Sequence, residues 1–272
     1  MAREAYRSLY GDLTKLRDTT LLDLSSTADD DELFQLLLAV SGWIDRYCNR
    51  HFYSRTQTLE FDGNGEDILV VPDLIAVTTL KADENEDLTF EITWATTDYW
   101  LWPYNAEPTQ PWGEPYQAIR VRRKGTKTAF LEGEQIYEIA GRWGYSEHKE
   151  DSTSLINNAS GISATDTTIT VDDGADFAIG QTLIIESEQV LVTNISGANL
   201  TVVRALNGTT GATHADNTII YILRWPAAVE RAALMTAARI WSRAPAFEPF
   251  YVDADLDTDA RMMLESYRRL TV

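Results

Sequence analysis

The sequence predicts an α+β protein: a small helical bundle formed by N- and C-terminal helices, with two antiparallel β domains inserted between them. Three observations predict it. Apolar residues recur at helical spacing at both ends of the chain, within residues 1–55 and 224–272. Residues 56–150 alternate with the two-residue period of strands and are dense in tryptophan and tyrosine. Residues 152–223 alternate too, but contain no tryptophan or proline and are rich in Thr, Ile, Val, Ala and Asn, which predicts a second β module with its own small core. A chain of 272 residues, 44% apolar and 24% charged, has material for one large domain or two modest ones.

Taken in order, "LTKLRDTTLLDL" is a short helical segment ending in a Ser/Thr/Asp cluster. In "DDDELFQLLLAVSGWIDRYCNRHF", Asp29 followed by Glu32 has the spacing of a capping box, and Asp30 and Asp31 suit the positive end of a helix dipole. Leu33, Leu36, Leu37, Val40, Ile44, Tyr47 and Cys48 make one apolar stripe, with Arg46, Arg50 and His51 at the C-terminal end. "TQTLEFDGNGEDILVVP" predicts a hairpin turning at Gly63 and Gly65. "LIAVTTLKA", "LTFEITWA", "DYWLWPY", "AIRVRRKGTKT" and "IYEIAGRWGY" are further strands, and Pro103, Pro108, Pro111 and Pro115 mark an irregular loop. "HKEDSTS" reads as a linker into the second module, where "SGAN" is a hairpin loop within "QTLIIESEQVLVTNISGANLTVVRAL". Pro226 suits a first helical position, and "AAVERAALMTAARIWSRA" carries alanines at 227, 228, 232, 233, 237 and 238 that allow close helix packing before "PAFEP" stops it. A last helix sets Ala260, Met263, Leu264, Tyr267 and Leu270 on one side.

A net charge of −19 argues against a groove that grips nucleic acid; it suits solubility, or a wall that nucleic acid passes without sticking. No apolar run approaches the roughly 18 to 20 residues of a membrane span. The first residues are charged and lack a signal peptide's apolar stretch, so the expected compartment is the cytoplasm. Cys48 stands alone, which excludes an internal disulfide and a thiolate cluster. It lies in the apolar stripe, where a thiol acts as a small hydrophobe although Arg46, Arg50 and His51 are near in sequence. Asp253, Asp255, Asp257 and Asp259 alternate as in a calcium loop, but Thr258 stands where the turn needs glycine and Leu264 where the bidentate glutamate belongs; these acids suit a helix cap. Glu186 and Glu188, two apart on one predicted strand, share a solvated face; His148 and His214 are isolated. "DGNGED" and "LNGTTG" are turns without the lysine of a P-loop. No catalytic residue, metal or cofactor is expected.

Positive charge concentrates in "IRVRRKGTK", where Arg120, Arg122 and Lys124 would project from one face of a strand. They are either a solvated face or an electrostatic contact with an acidic neighbouring subunit. The aromatics Trp94, Tyr99, Trp100, Trp102, Tyr104, Trp112, Tyr116, Tyr137, Trp143 and Tyr145 form either a core with inter-subunit contacts or an exposed carbohydrate-binding surface that stacks on sugars.

"DDDELFQLLLAVSGWIDRYCNRHFY" resembles the N-terminal helix of the head–tail connector proteins of tailed phages, the adaptor or head-completion family. "DYWLWPYNAEP", "GRWGYSE" and "WPAAVERAALMTAARIWSR" are similar to the elements that follow in that family, so the resemblance covers roughly 30–150 and 224–245. The block at 152–223 departs from it. There "ESEQVLVT", "LTVVRALNGT" and a following histidine resemble a β module of various virion proteins. The resemblance implies a non-enzymatic neck protein, assembled in the host cytoplasm and carried in the virion. Such proteins form a homo-oligomeric ring, usually of twelve copies, that binds the portal protein, extends the DNA channel and docks the next neck or tail component. Genomic DNA would pass without specific binding, and no membrane is involved. By position, the family's portal contact would fall on Tyr267, Arg268, Arg269, Leu270 and Val272.

Overall fold

The computed structural model describes residues 6–18, 20–87, 89–243 and 258–269. It is a mixed α/β structure with two antiparallel sheets and, among the described residues, four helices. The chain divides into two compact units, His51–His148 and Met1–Arg50 with Lys149–Val272.

Helix α1 (Leu13–Arg17) starts where the Asp12 carboxylate accepts the Lys15 amide at 2.9 Å. Helix α2 (Asp30–Cys48) buries Leu33, Phe34, Leu37, Val40, Ile44 and Cys48, but also the polar Ser41 and Asp45. The expected capping box is not formed. Asp29 is not in the extended conformation of a side-chain cap and makes no cap bond, while Asp30 instead pairs with Arg17 at 3.0 Å. The helix also ends earlier than expected. Asn49 takes the left-handed conformation at φ 51°, and the amides of Asn49 and Arg50 both reach the Asp45 carbonyl. Arg46 is thus the basic residue in the last turn; Arg50 and His51 lie beyond it.

The first sheet comprises β1 (Arg55–Gly63), β2 (Ile68–Ala82), β3 (Ile92–Thr93), β4 (Tyr99–Trp102), β5 (Tyr116–Val121) and β6 (Gly133–Trp143), in the order β1-β6-β2-β5-β4 with β3 on β2. The predicted β1–β2 hairpin is corrected here: both strands pair with β6 and not with each other. The long β2 changes partner as it passes Pro72 and Asp73. Ile68–Val70 and Leu74 pair with β5, and Leu74–Ala82 with β6, so Leu74 has a partner on either side. Gly63 serves a close approach, since a Cβ there would lie 1.7 Å from the Leu131 carbonyl oxygen. "LTFEITWA" yields only the two residues of β3. The core is aromatic at its centre: Trp94 stacks on Phe130 at 4.9 Å and meets Tyr137 edge-on at 5.8 Å. Leu80, Ile119 and Ile139 pack around them.

The second sheet comprises β7 (Lys149–Leu155), β8 (Thr168–Thr170), β9 (Thr182–Ile185), β10 (Glu188–Ser196), β11 (Asn199–Val203) and β12 (Ile219–Leu223), in the order β7-β12-β9-β10-β11-β8. The predicted turn between β10 and β11 is present, with Ser196 opposite Asn199 and Gly197 at φ 58°. The segment expected as a linker is strand β7. Its polar residues are accommodated because Ser152 donates to the Ile220 carbonyl at 2.6 Å and Arg224 pairs with Glu150 across the ladder. The core is aliphatic apart from Phe177, and includes Ile169, Leu183, Ile185, Val190, Val192, Leu200 and Ile220.

Helices α3 (Ala227–Arg243) and α4 (Thr258–Glu265) complete this unit. The Pro226 carbonyl accepts the Glu230 amide, so Pro226 stands one residue before the helix. Helix α3 packs on α1, α2 and α4, burying Ala232, Ala233, Ala237 and Ala238; Ala227 is exposed. Past α4 the chain returns to the end of α2. Tyr47 donates to Glu265 at 2.8 Å, and the Arg269 amide donates to the Cys48 carbonyl at 2.9 Å. Residues 8–13 join helices and sheet within the unit. The Tyr10 amide donates to Ser41 Oγ at 3.0 Å and the Tyr10 hydroxyl to Asp45, while Ser8 Oγ is reached by Thr182 at 2.9 Å and Asn207 at 2.8 Å.

Candidate functional site

Two constellations stand out, one on a surface and one inside. The surface one is built by β4 and β5. The period of two turns Tyr99 and Leu101 toward the core and Trp100 and Trp102 away from it. Trp100 is 45% exposed, Trp102 38%, and Tyr104 just beyond them 51%. Tyr104 meets both indoles edge-on, at 4.6 Å for Trp102 and 6.0 Å for Trp100. Arg122 lies over the Trp100 ring at 4.3 Å and Arg120 over Trp102 at 5.9 Å. Trp112, 74% exposed, is held in its loop by a 3.3 Å bond from its ring N–H to Glu107.

Asp98 fixes the turn that carries the cations. Its carboxylate accepts the Thr126 amide at 2.7 Å, the Thr126 hydroxyl at 3.0 Å and the Ala95 amide at 3.1 Å. The Thr126 amide is the leading cause holding the Asp98 carboxyl below its ordinary value. Gly125 lets the turn close on Asp98, whose Cα would be 2.7 Å from an added Cβ. The strand ends at Val121, so only Arg120 of the three expected cations lies on it; Arg122 follows it and Lys124 is in the turn. Arg120 is paired with Asp67 at 3.2 Å.

The interior constellation overturns the expectation for Glu186 and Glu188. They are not on one strand: Glu186 and Ser187 form the turn between β9 and β10, with Ile185 opposite Glu188 and Glu186 at φ 54°. The Glu186 side chain is 61% exposed while that of Glu188 is 0% exposed. Glu188 accepts Arg204 Nε at 2.7 Å and Nη2 at 2.6 Å, the Ala205 amide at 3.0 Å and the Ala212 amide at 3.0 Å. The other Arg204 N–H groups reach the carbonyls of Ser163, Asp166 and Ala212, so all five of its donors are used. The His214 ring lies between the carboxylates, Nδ1 2.7 Å from Glu186 and Nε2 2.9 Å from Glu188. Burial alone would push the Glu188 carboxyl up. The bonds from Arg204, the Ala212 amide, His214 and the Ala205 amide outweigh it and hold the group at about 2. Each of the three short motifs of the β module supplies one buried member of this network: Glu188, Arg204 and His214. The one sequence signal for it was an arginine set directly after the apolar strand residues of "TVVRAL".

The remaining groups are readily placed. Cys48 is buried, its sulfur 4.0 Å from the Leu264 carbonyl, and burial pushes its thiol up to about 12, far from a nucleophile. Arg268 pairs with Glu265 at 3.2 Å and lies 5.2 Å from the Tyr47 ring centre, and the Tyr267 amide closes on Leu264. Tyr267, Arg268 and Arg269 are thus gathered at the end of α2, whereas Leu270 and Val272 lie outside the described residues, as do Asp253, Asp255 and Asp257. Asp259 pairs with Arg239 at 2.6 Å. Among the described residues, Asp83, Asp87 and Glu91 bring carboxylate oxygens within 4.8 Å of one another. Asp83 already accepts the amides of Asn85 and Asp87, as a turn residue does. No helix of the described residues is long and apolar enough to cross a membrane. Comparison with protein-family models, with curated proteins and with solved structures finds no match.

Proposed function

We propose that this chain is a structural neck protein of a tailed phage: a ring-forming adaptor that binds the portal vertex, extends the DNA channel and docks the next neck or tail component. The observation that carries this reading is the packing together of helices that precede and follow the two sheets in sequence. Helix α2 near one end packs on α3 near the other, and the segment after α4 returns to the last turn of α2 through Arg269 and Cys48. In this reading the helices are a bundle that serves as the assembly scaffold, and the two sheets are insertions that act as spacers and contact surfaces. The motif order "WIDRYCNRHFY", "DYWLWPYNAEP", "GRWGYSE" and "WPAAVERAALMTAARIWSR" supports it. So does the charge of −19, which lets DNA move past without a grip. The partners are the portal protein, a downstream neck protein and further copies of the chain, and the protein acts in the virion without a cofactor or a catalytic step.

Electron microscopy of particles made without this gene product tests the proposal. DNA-filled heads lacking the neck are expected; particles with a complete neck would refute it.

A further inference from the structure

We infer that the aromatic–arginine surface of β4 and the turn after β5 is a self-association surface, and that its occupant is a second copy of this chain. Trp100, Trp102 and Tyr104 face outward together, and Arg122 over Trp100 restricts the ring that it covers. Clustered tryptophan, tyrosine and arginine are the residue types that dominate protein–protein contacts.

Charge selects the occupant. Arg120 is neutralised by Asp67 and Lys127 by Glu84, but Arg122, Arg123 and Lys124 have no carboxylate within 4.0 Å among the described residues. Three cations without a carboxylate partner, Arg122 on the Trp100 ring and the exposed Arg123 and Lys124 in the turn that follows it, thus adjoin the aromatics in a chain of 23 basic and 42 acidic residues. A neutral glycan would gain nothing from those cations, and a nucleic acid would be repelled by the surface around them. A second copy brings a net −19 and is attracted to this patch while repelled elsewhere, which fixes the contact as well as strengthening it. The patch is basic and cannot pair with itself, so the second copy must meet it with a different, acidic surface. Such a heterologous contact propagates from copy to copy and closes into a ring when the rotation allows. The inference rests on the ring-forming reading for its occupant and deepens it by naming one side of the contact.

Sedimentation velocity of the full chain, alone and with purified portal, at low and high salt, tests it. The wild type should assemble, less so as salt rises. The Arg122→Glu/Arg123→Glu/Lys124→Glu variant should associate about tenfold or more weakly with unchanged thermal melting, and Trp100→Ala should weaken association at any salt. A charge-reversed variant that assembles as tightly as the wild type would overturn this surface and leave the ring reading standing. Binding to a glycan panel through Trp100 and Trp102, unaffected by the charge reversal, would replace the occupant with a carbohydrate. A wild type that stays monomeric with and without portal would overturn both this inference and the ring reading.

Discussion

In the sheet of β1–β6 the largest side chains divide between inside and outside: Trp94 and Tyr137 meet in the core while Trp100, Trp102 and Tyr104 face outward with arginines beside them. In the sheet of β7–β12 the core is aliphatic apart from Phe177, and polar and charged side chains are drawn inside as Glu188, Arg204 and the His214 ring. The first sheet thus leaves large aromatic groups in solvent, and the second uses buried polar groups to hold its own loops. Residues 163–166, 204–205 and 212–214 converge on the Glu188 carboxylate and the Arg204 guanidinium, and Glu186 joins them through the His214 ring. An exposed aromatic patch can be removed at little cost to folding, whereas one partner of a fully buried pair cannot, because the other charge is left behind.

The largest expected effect comes from breaking the interior network. Glu188→Ala should destabilise the chain by about 3–5 kcal/mol in chemical denaturation, since Arg204 is then left uncompensated. A loss under about 1 kcal/mol would move the network to the class of surface pairs. The same group sharpens the comparison through pH. Its folded carboxyl lies at about 2, below the ordinary 4.5, so its stabilisation is complete above about pH 4.5 and is lost as pH falls toward 2. That contribution is on the order of 3 kcal/mol. Glu188→Gln should flatten the acid limb of a stability–pH profile, and an unchanged slope would contradict the account. Asp98→Ala is expected to cost about 1–3 kcal/mol by leaving the Thr126 and Ala95 amides without their acceptor. Hydrogen exchange should then quicken at residues 122–126 and not in the second sheet. The smallest effect is expected for Trp112→Ala, within about 0.5 kcal/mol of wild type, because the residue is mostly exposed and its one side-chain bond, to Glu107, is at the surface.

Helix α2 was legible because its apolar stripe runs from Leu33 to Cys48, about four turns, and nothing competes with it. Its ends were less so: the capping spacing of Asp29 and Glu32 was present, but the backbone at Asp29 is not extended and its side chain makes no cap bond. The β1–β2 hairpin misled because glycine turn chemistry says that the chain reverses and not which strand each arm bonds; β2 changes partner midway, and the pairing with β6 spans some seventy residues. The turn at Glu186 and Ser187 carries neither glycine nor asparagine, so the run from Thr182 to Ser196 looked like one strand and placed both glutamates on one face. With the turn in place Glu188 goes inside, and His214, distant in sequence, becomes its partner. The outward tryptophans of β4 were visible as an aromatic concentration, but which of them face solvent depended on the register of β4 against β5.

The mass of the free chain, and of the chain mixed with purified portal, tests the neck-adaptor reading most directly. The account predicts a complex holding one closed ring of copies per portal. Free chain and portal that keep their separate masses at every ratio would contradict it.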